Sequence, residues 1–583
     1  MPDIMKQKPL LSFEFPTPDG ETKPKTFKNP VQVITTEKLE DVLSCLQLVE
    51  DAVQKGYYAA GFISYEGAAA FEPAFSVREG GSMPLLWFGI FSEPDHIGIS
   101  SNHPYSLSEW MPSVTQEEYR SAISAIKQAI ANGISYQTNY TIRLDSQFAG
   151  DDIAFFEQLK RAQASNYCAY LNTGEHSILS ASPELFFQLN GNHITTRPMK
   201  GTLKRGNTFN EDKENASWLY HSEKNRAENV MIVDLLRNDL GIIAEPGTVT
   251  VEKLFNIEQY PTVHQMTSTI SAKVSPNVTL TEIFKALFPC GSITGAPKIS
   301  TMELITQLEK APREVYCGAI GYISPDGKAT FSVPIRTVMI DHKTGQATYG
   351  VGGGITWDST AEGEYDEILA KASLLKQDLP DFQLIESLLL ENERYFLLEE
   401  HLNRIKNSAQ YFGFQFQIAD AEKYLLKYAS QQKEKKQKVR FLLAKNGEMN
   451  IEGNEVGKSV GPKKVIVATS PVHKNNPFLY HKTTNRDIYY QYQKNKPAEI
   501  FDILLWNENG EITEFTNGNI VLEIDGIRWT PSVKSGLLAG TFRESLIKTK
   551  EIRERTLSIE DLNYATKIWF INSVRKWVQV RFV

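Results

Sequence analysis

Residues 288–298 read FPCGSITGAPK and run directly into ISTMELITQLE at 299–309. The two glycines are typical of a tight turn, and Pro297 suits the first turn of the helix that the second stretch predicts. Backbone N–H groups at a helix start bind a carboxylate as readily as a phosphate. The spacing before Lys298 does not match a nucleotide-binding phosphate loop, so this stretch predicts an anionic ligand without specifying a nucleotide.

A second glycine-rich stretch, GVGGG at residues 350–354, continues as ITWDST. A dinucleotide-binding turn must open a helix, and no helical pattern follows here. The stretch therefore does not indicate a dinucleotide site.

Acidic residues recur on two predicted helices. Glu223 and Glu228 lie on the first, whereas Glu364, Glu367 and Lys371 share one face of the second because they are spaced i, i+3 and i+7. Carboxylates from two helices can converge on a hard cation and leave coordination positions for substrate oxygens. The alternative is surface salt bridging, such as the i, i+4 pair Glu367–Lys371. Spacing alone leaves both interpretations open.

The length and composition indicate a globular protein of several domains. At roughly 150 residues per domain, 583 residues predict two or three compact bodies. An apolar fraction of 41% and a charged fraction of 23% exclude a mostly disordered, collagenous or membrane-embedded chain. The longest apolar run, Leu85–Phe91, is far shorter than the roughly 20 residues of a spanning helix, and the first residues lack the apolar segment of a secretory signal. We therefore expect no membrane partner and no export.

Charge and cysteine content narrow the partners and the compartment. The chain has 62 basic and 70 acidic residues, a net charge of −8, which disfavours a nucleic-acid partner. The four cysteines are far apart and form no CxxC pair, which argues against a disulfide framework or a zinc site and predicts a reducing cytoplasm. They are Cys45, Cys168, Cys290 and Cys317.

Periodicity divides the chain into two predicted domains. A helical pattern begins at Thr115, which forms a capping-box pattern with Glu118, and further helical patterns run near residues 222–240 and 361–376. At Phe382 the pattern changes to strand-like alternation. We predict a first domain at 1–376, with an amino-terminal part at 1–110 and a motif-bearing part at 115–376, a short linker at 377–381, and a second domain at 382–583.

Several motifs of the first domain occur together and in order. They are PMKGT (198–202), the run from Glu223 through AENVMIVDLLRNDLG, FPCGSITGAPK, FSVPIRT (331–337), and YGVGGGI (349–355) followed by Glu364 and Glu367. Together they resemble the chorismate-utilising family that includes anthranilate synthase, isochorismate synthase and aminodeoxychorismate synthase component I. The resemblance covers about residues 1–376, densely from Ser180 onward. It implies a mixed α/β fold, an anthranilate-synthase-like chorismate-binding β-sandwich with helices.

The residue before Gly-Thr discriminates within this family. Aminodeoxychorismate synthases carry lysine there, and this chain has Lys200. The resemblance implies that Lys200 attacks C2 of chorismate while the C4 hydroxyl leaves, and that ammonia then adds at C4 and expels the lysine. Glu184 matches the general acid for the departing hydroxyl. His264 matches an active-site histidine of the family, although a lone histidine is also typical of a protein core.

The resemblance also implies how substrate and metal are bound. Mg²⁺ would be held by Glu228 and Glu367 and, directly or through water, by Glu364, and it would neutralise a carboxylate of chorismate. Asn225 stands where the family often has an acidic residue. The implied substrate-binding residues are Thr294, Arg336, Gly352, Gly353, Gly354 and Lys371. No cysteine lies in the Gly-x-Cys-x-Gly turn of a glutaminase, so we expect ammonia from a separate glutamine amidotransferase subunit.

The second domain contains a lysine, a glutamate and a glycine turn in separate motifs. These are HKTTNRDIYYQY (481–492), GEITEFTNGNIVLEI (510–524) and PSVKSGLLAGTFRE (531–544), preceded by EHLNR (400–404). Singly, each is more typical of structure than of a site. Together they resemble the class IV, fold-type IV pyridoxal 5'-phosphate enzymes, which include aminotransferases and aminodeoxychorismate lyase. This implies a fold-type IV α+β domain whose cofactor-binding residues are Lys482, Glu514, Arg404, Gly540, Thr541 and Phe542.

The two resemblances imply one reaction sequence. The first domain would make 4-amino-4-deoxychorismate from chorismate and ammonia, and the second would eliminate pyruvate to give 4-aminobenzoate for folate synthesis. Lys482 would serve first as the cofactor tether and then as a base. The alternatives are an anthranilate or isochorismate synthase fused to a class IV aminotransferase, or a half that has lost catalysis and serves as a scaffold.

Overall fold

A computed structural model of the chain describes residues 8–17, 20, 22–376, 381–432, 436–457 and 461–583. The described residues cluster into two compact units. The first unit contains the described residues up to Lys204 and those from Ala216 to Lys376. The second contains Arg205–Asn215 together with the described residues from Asp381 to Val583. Among the helices of the described residues, none is both long and apolar enough to cross a membrane.

The strands before residue 377 are β1 (Leu10–Glu14), β2 (Lys25–Lys28), β3 (Gln32–Thr36), β4 (Tyr58–Ile63), β5 (Leu86–Phe91), β6 (Tyr105–Leu107), β7 (Met111–Pro112), β8 (Gln137–Gly150), β9 (Tyr167–Asn172), β10 (His176–Ser182), β11 (Leu185–Asn190), β12 (His193–Arg197), β13 (Met199–Lys204), β14 (Thr250–Gln259), β15 (Val263–Lys273), β16 (Gly295–Ala296), β17 (Ala319–Ile323), β18 (Ala329–Ser332), β19 (Thr337–Asp341) and β20 (Gln346–Ile355). The α-helices of the same region are α1 (Leu39–Gln54), α2 (Ala68–Phe71), α3 (Gln116–Ala131), α4 (Asp152–Gln163), α5 (Phe209–His221), α6 (Glu223–Gly241), α7 (Leu280–Leu287), α8 (Lys298–Leu308) and α9 (Ala361–Ala372).

The first unit is a sandwich of two large sheets with helices outside, as the sequence predicts. One sheet has the order β16-β8-β20-β19-β10-β9-β1-β2, with β6 and β7 also paired to β8. The other has the order β13-β15-β12-β11-β18-β17-β4-β5-β3, with β14 paired to β15. An apolar core lies between them and contains side chains of both sheets, such as Phe13 and Phe331. A second core packs the other face of the first sheet against α3, α4 and α9.

The predicted helix starts are confirmed. Thr115 caps α3, and its capping box with Glu118 is formed in both directions, at 3.2 and 2.8 Å. Ser222 caps α6. Pro297 occupies the N-cap of α8, one position before the expected first turn.

The second unit contains the strands β21 (Leu384–Glu391), β22 (Arg394–Tyr395), β23 (Gln437–Leu443), β24 (Met449–Glu455), β25 (Lys463–Val467), β26 (Asp502–Trp506), β27 (Ile512–Phe515), β28 (Asn519–Ile524), β29 (Ile527–Pro531), β30 (Arg553–Arg555), β31 (Lys567–Asn572) and β32 (Lys576–Phe582). Its α-helices after residue 381 are α10 (Leu398–Phe412), α11 (Ile418–Ser430), α12 (Asp487–Gln493) and α13 (Thr541–Lys548). The strands form one sheet in the order β22-β21-β23-β24 and another in the order β27-β26-β25-β32-β31-β28-β29-β30. This α+β arrangement agrees with the predicted fold class.

The grouping of Arg205–Asn215 with the second unit was not predicted by the sequence. Within that unit Arg205 pairs with Asp212 at 2.5 Å, donates to the carbonyl of Tyr411 at 2.8 Å and stacks over the ring of Tyr411. The predicted boundary at 377–381 remains a prediction, since residues 377–380 lie outside the described residues.

Replacing Thr115 by alanine should weaken the first turn of α3. The substitution removes the acceptor for the Glu118 amide, and loss of such a cap costs about 1 kcal/mol. We expect exchange of the Glu118 amide hydrogen to become about fivefold faster through local opening, measured by hydrogen–deuterium exchange. Gln116→Ala, an exposed change in the same turn without a cap, should leave the exchange unchanged, and equal acceleration in both variants would contradict the capping role.

Candidate active sites

The first unit contains a cavity of about 1400 Å³, open to solvent. Its wall comes from both sheets and two helices, because β13, β20, α6 and α9 all contribute side chains to it. The predicted site residues on the wall are Glu184, Lys200, Glu228, Arg336, Gly352, Gly353, Gly354, Glu364, Glu367 and Lys371. Most of the residues singled out in the first domain therefore share one cavity.

Lys200 projects from β13 into this cavity beside Gly354 of β20. A Cβ atom on Gly354 would lie 3.0 Å from Lys200 Nζ and only 1.8 Å from Gln137 Nε2, so only glycine leaves room for both side chains. Burial lowers the pKa of the Lys200 amine, and the charge of Lys371 lowers it further, against the opposing effect of Glu184. The site therefore favours the neutral form of this amine more than water does.

Glu184 is a buried carboxyl on the wall of the same cavity. Ser292, in the glycine turn 291–293, donates a hydrogen bond to Glu184 Oε1 at 2.5 Å. Burial raises the pKa of Glu184 to about 7, although Ser292 and Lys200 both favour the ionised form. Glu184 can therefore carry a proton at neutral pH, as a general acid must.

Helix α9 is hydrogen-bonded to the glycine-rich strand β20. Lys371 Nζ lies 2.6 Å from Glu367 Oε1 and donates to the carbonyl of Gly352 at 2.7 Å. Arg336 donates to the carbonyl of Lys371 at 2.8 Å. The i, i+4 salt bridge considered from the sequence is thus present, and it also faces the cavity.

The three carboxylates predicted as metal ligands line one cavity in the absence of a metal. Burial raises the pKa values of Glu228 and Glu364, and the negative charge of Glu367 raises both further. The charge of Lys371 lowers the pKa of Glu367. Within the described ranges, no three His, Cys, Asp or Glu side chains are gathered closely enough to hold a metal ion by themselves.

Two predicted residues lie behind the cavity wall. His264 is buried on β15, and because side chains alternate along a strand, its neighbour Gln265 lines the cavity instead. Thr294 is buried and donates to carbonyls of its own turn, at 3.2 Å to Cys290 and 3.3 Å to Gly291. The roles of both residues remain predictions. The anion site expected at the start of α8 also differs, because Ser292 and Ile293 line the cavity and the first residues of that helix do not.

Sequence reasoning missed several residues on this wall. Ser292 lies inside the quoted motif 288–298, but its partner Glu184 is 108 residues away in sequence. Gln137 is 1% exposed, and its Oε1 has no hydrogen-bond partner in the described part of the chain. Tyr316 also lines the cavity. Composition and spacing carry no signal for either residue, since the position of Gln137 follows from the pairing of β8 with β16 and Tyr316 lies in the turn before β17.

The second unit contains its own cavity of about 1310 Å³, also open to solvent. The predicted residues on its wall are Arg404, Lys482, Glu514, Gly540 and Thr541. Burial lowers the pKa of Lys482 to about 7, and the charges of Arg486 and Arg404 contribute. A neutral amine is therefore available near neutral pH for attack on an aldehyde.

Glu514 is held on β27 by two donors. Tyr489 donates to its Oε1 at 2.8 Å, and Asn519 Nδ2 lies 3.4 Å from its Oε2. Burial raises the pKa of Glu514 to about 7. A cation placed against this carboxyl would favour its ionised form.

Arg404 lies beside the start of α13. It donates to both oxygens of Glu386, at 2.8 and 2.6 Å, and its Nη1 lies 3.3 Å from the carbonyl of Ala539. A Cβ atom on Gly540 would lie 2.1 Å from Asn519 Oδ1, so the turn requires glycine. A cation and the first amides of a helix are thus brought together, an arrangement that suits a phosphate.

Phe542 does not line this cavity in the described structure. Its side chain is buried in an apolar cluster with Phe396 and Trp577, because it lies on the core-facing side of α13. Only its backbone amide remains available to a ligand at this turn. The predicted cofactor-binding role of Phe542 therefore stays a prediction, and it concerns the backbone amide and not the side chain.

Comparison with known families divides the chain between residues 377 and 383, close to the predicted linker at 377–381. Residues 99–377 match the family described as chorismate binding enzyme, and residues 383–583 match the family described as amino-transferase class IV. Aminodeoxychorismate synthase component 1 of Salmonella typhimurium is 43% identical over 277 residues, which are 47% of this chain and 61% of that protein. The chain thus spans about three fifths of the length of such relatives.

Anthranilate synthase component 1 of Methanothermobacter marburgensis is 33% identical over 344 residues, covering 55% of this chain and 74% of that protein. The crystal structure of anthranilate synthase component I from Streptococcus pneumoniae superposes with a TM-score of 0.52 at 25% identity. It covers 60% of this chain and 91% of that chain. These matches concern the first unit.

Removing the Ser292 hydroxyl should raise the pKa of Glu184 above its present value of about 7. The hydrogen bond stabilises the carboxylate, so in Ser292→Ala the carboxyl stays protonated to higher pH. We expect its infrared carbonyl band, assigned with Glu184→Gln, to titrate at higher pH. Ser292→Thr, which keeps a hydroxyl, should restore the original midpoint, and an unchanged midpoint in Ser292→Ala would contradict the assignment.

The Lys482 amine should react with acetic anhydride with a midpoint near pH 7, because its pKa is lowered to about 7. Its modification can be followed by mass spectrometry as a function of pH. The matched control is the same lysine in the unfolded chain, where an ordinary midpoint near 10.4 is expected. A folded-state midpoint close to that control would show that burial does not perturb this amine.

Proposed function

Because the chain belongs to the family of chorismate binding enzymes and carries a class IV amino-transferase domain, we propose that it makes 4-aminobenzoate from chorismate and ammonia in two steps. The first unit would produce 4-amino-4-deoxychorismate, and the second would release pyruvate from it. The observation that carries the proposal is the Lys200 amine, whose pKa is lowered by burial, in one cavity with the protonatable Glu184.

In the first step the neutral Lys200 amine attacks C2 of chorismate, the ring double bonds shift, and the C4–oxygen bond breaks. Glu184 gives its proton to the departing oxygen, which leaves as water. Ammonia then forms a bond to C4, the double bonds shift back, and the C2–nitrogen bond to Lys200 breaks. The lysine leaves as a neutral amine, and the ammonium group formed at C4 returns one proton to Glu184, so both side chains regain their starting states and no oxidant or reductant is needed.

Two cations would hold the substrate during this exchange. Arg336 is fixed through the carbonyl of Lys371, and Lys371 is fixed through Gly352 and Glu367. Both line the cavity and can bind carboxylates of chorismate without reorganising.

The carboxylates of the first cavity suit Mg²⁺ by donor type. Hard oxygen ligands are those that Mg²⁺ prefers, and a divalent cation would offset the burial and the charge of Glu367 that raise the pKa values of Glu228 and Glu364. Because no three such side chains of the described residues are close enough to hold a metal by themselves, Glu228, Glu364 and Glu367 would hold the ion only together with substrate oxygens. Its charge would stabilise the bound substrate carboxylate.

The second cavity suits pyridoxal 5'-phosphate. Lys482 would bind it covalently, Glu514 would face the pyridine nitrogen, and Arg404 with the amides of Gly540 and Thr541 would hold the phosphate. When bound, the cofactor supplies an electron sink for the bonds at the carbon that carries the amine. Lys482 Nζ would then take the proton from C4 of the substrate, and loss of the enolpyruvyl group as pyruvate leaves an aromatic ring.

We further propose that ammonia comes from a separate glutamine amidotransferase subunit in the cytoplasm. Burial raises the pKa values of the thiols of Cys168, Cys290 and Cys317 to about 12, so these thiols are poor nucleophiles. Cys45 lies on α1 and its thiol pKa is also raised by burial. None of the four is therefore suited to attack the amide of glutamine.

Two lysine variants should separate the two activities. With chorismate, ammonium and Mg²⁺, Lys482→Ala should accumulate 4-amino-4-deoxychorismate and release no 4-aminobenzoate, whereas Lys200→Ala should form neither, as measured by liquid chromatography with mass spectrometry. A mixture of both variants should make 4-aminobenzoate again, because each retains one intact unit.

The control is Lys436→Ala, which removes an exposed lysine paired with Glu391 and should keep both activities. Amination by Lys200→Ala at the normal rate would contradict the nucleophilic role of Lys200. Transfer of an amino group to a 2-oxo acid, without release of pyruvate, would instead assign the second unit as an aminotransferase.

A further inference from the structure

The cavity of the second unit is lined by more positive charge than the cofactor requires. Its cationic side chains are Arg404, Lys438, Lys482, Arg486 and Arg575. Arg404 is neutralised by Glu386 at 2.6 Å, and Lys482 is the proposed attachment point of the cofactor. The other three have no carboxylate within ion-pair distance in the parts of the chain that the structure describes.

These three cations come from separate elements. Lys438 lies on β23 opposite Asn454 of β24, which also lines the cavity. Arg575 lies in the turn between β31 and β32, and its guanidinium is 5.7 Å from the ring of Phe501. The fold therefore brings together like charges from positions that are far apart in the sequence.

Arg486 is the fixed member of the group. Its Nη2 donates to the carbonyl of Thr516 at 2.6 Å, and its guanidinium stacks 4.4 Å from the ring of Tyr489. By contrast, Arg440, two residues beyond Lys438 on the same strand, is paired with Glu452 at 2.8 Å outside the cavity wall. Arg440 is thus neutralised, whereas the exposed Lys438 and Arg575 and the half-buried Arg486 have no carboxylate within ion-pair distance among the described residues.

The positive charges of this group lower the pKa of Lys438. Burial lowers the pKa of Lys438, and the charges of Arg440, Arg575 and Arg486 lower it further. Gathering cations in this way raises the free energy of the empty site, and a bound anion would reverse the effect.

We propose that Lys438, Arg486 and Arg575 form an anion clamp that binds the carboxylates of the amine substrate and makes the second unit selective for a dicarboxylate. This inference rests on the proposed function, in which the substrate carries one carboxylate on the ring and another on the enolpyruvyl group. Charge-assisted hydrogen bonds from guanidinium and ammonium groups suit both.

The cofactor phosphate is the other anion that these side chains could bind. The structure favours another position for the phosphate, at the start of α13. Arg404 contacts the carbonyl of Ala539 there, directly before Gly540. Thr541, the first residue of α13, lies 3.2 Å from His401 of α10. We therefore assign the clamp to the substrate.

The test compares Lys438→Met and Arg575→Met with Lys436→Met in the full chain loaded with pyridoxal 5'-phosphate. Lys436 is an exposed lysine two residues before Lys438, outside the cavity wall, and serves as the matched control. Isophthalate, with two carboxylates, and benzoate, with one, are titrated calorimetrically as unreactive probes. The KM and kcat for pyruvate release from 4-amino-4-deoxychorismate are measured in parallel.

Each clamp variant should weaken isophthalate binding about tenfold or more, reduce its preference over benzoate, and raise KM by a similar factor with kcat little changed. The control should behave as the unmodified chain. Unchanged isophthalate affinity and KM would overturn the clamp, as would a comparable loss of affinity for pyridoxal 5'-phosphate itself. Clamp-dependent isophthalate binding in a chain that releases no pyruvate would support the clamp while overturning the proposed lyase activity.

Discussion

Burying a lysine ammonium is costly unless the amine loses its proton, and both units of this chain are arranged around such an amine. Lys200 and Lys482 each line a cavity with a carboxyl group that is not ion-paired to them. Burial raises the pKa values of those carboxyls, Glu184 and Glu514, to about 7, against the opposing effect of the hydroxyl groups that donate hydrogen bonds to them. Each site thereby offers an amine of lowered pKa and a carboxyl that can exchange a proton near neutral pH.

Glycine makes room for this arrangement in both units. In the first, β20 is paired to β8 so that Gly354 faces Lys200 and Gln137, where any side chain would collide. In the second, Gly540 meets Asn519, which in turn contacts Glu514. The glycine-rich stretch at residues 350–354, which does not fit a dinucleotide loop, thus allows a close approach of the backbone to the side chains of the cavity.

Local sequence patterns predicted the parts of the structure that depend on local physics. The capping box of Thr115, the helix beginning after Ser222 and the shared face of Glu364, Glu367 and Lys371 all follow from helical spacing. The resemblance to known motifs gathered the distant site residues that spacing could not. Neither local patterns nor the resemblance predicted which side of a strand faces the cavity, as for His264. They also did not predict which distant cations lie together, as for Lys438 and Arg575. Those depend on strand register and turn geometry across the sheets, which no local pattern encodes.

The most direct test of the central claim is the fate of labelled ammonia in a single incubation. The purified chain, loaded with pyridoxal 5'-phosphate, is given chorismate, ¹⁵N-ammonium and Mg²⁺, and the products are identified by mass spectrometry and nitrogen NMR. The account predicts 4-aminobenzoate with one ¹⁵N at the ring position para to the carboxylate, together with one equivalent of pyruvate. Label in anthranilate, with nitrogen ortho to the carboxylate, would contradict it.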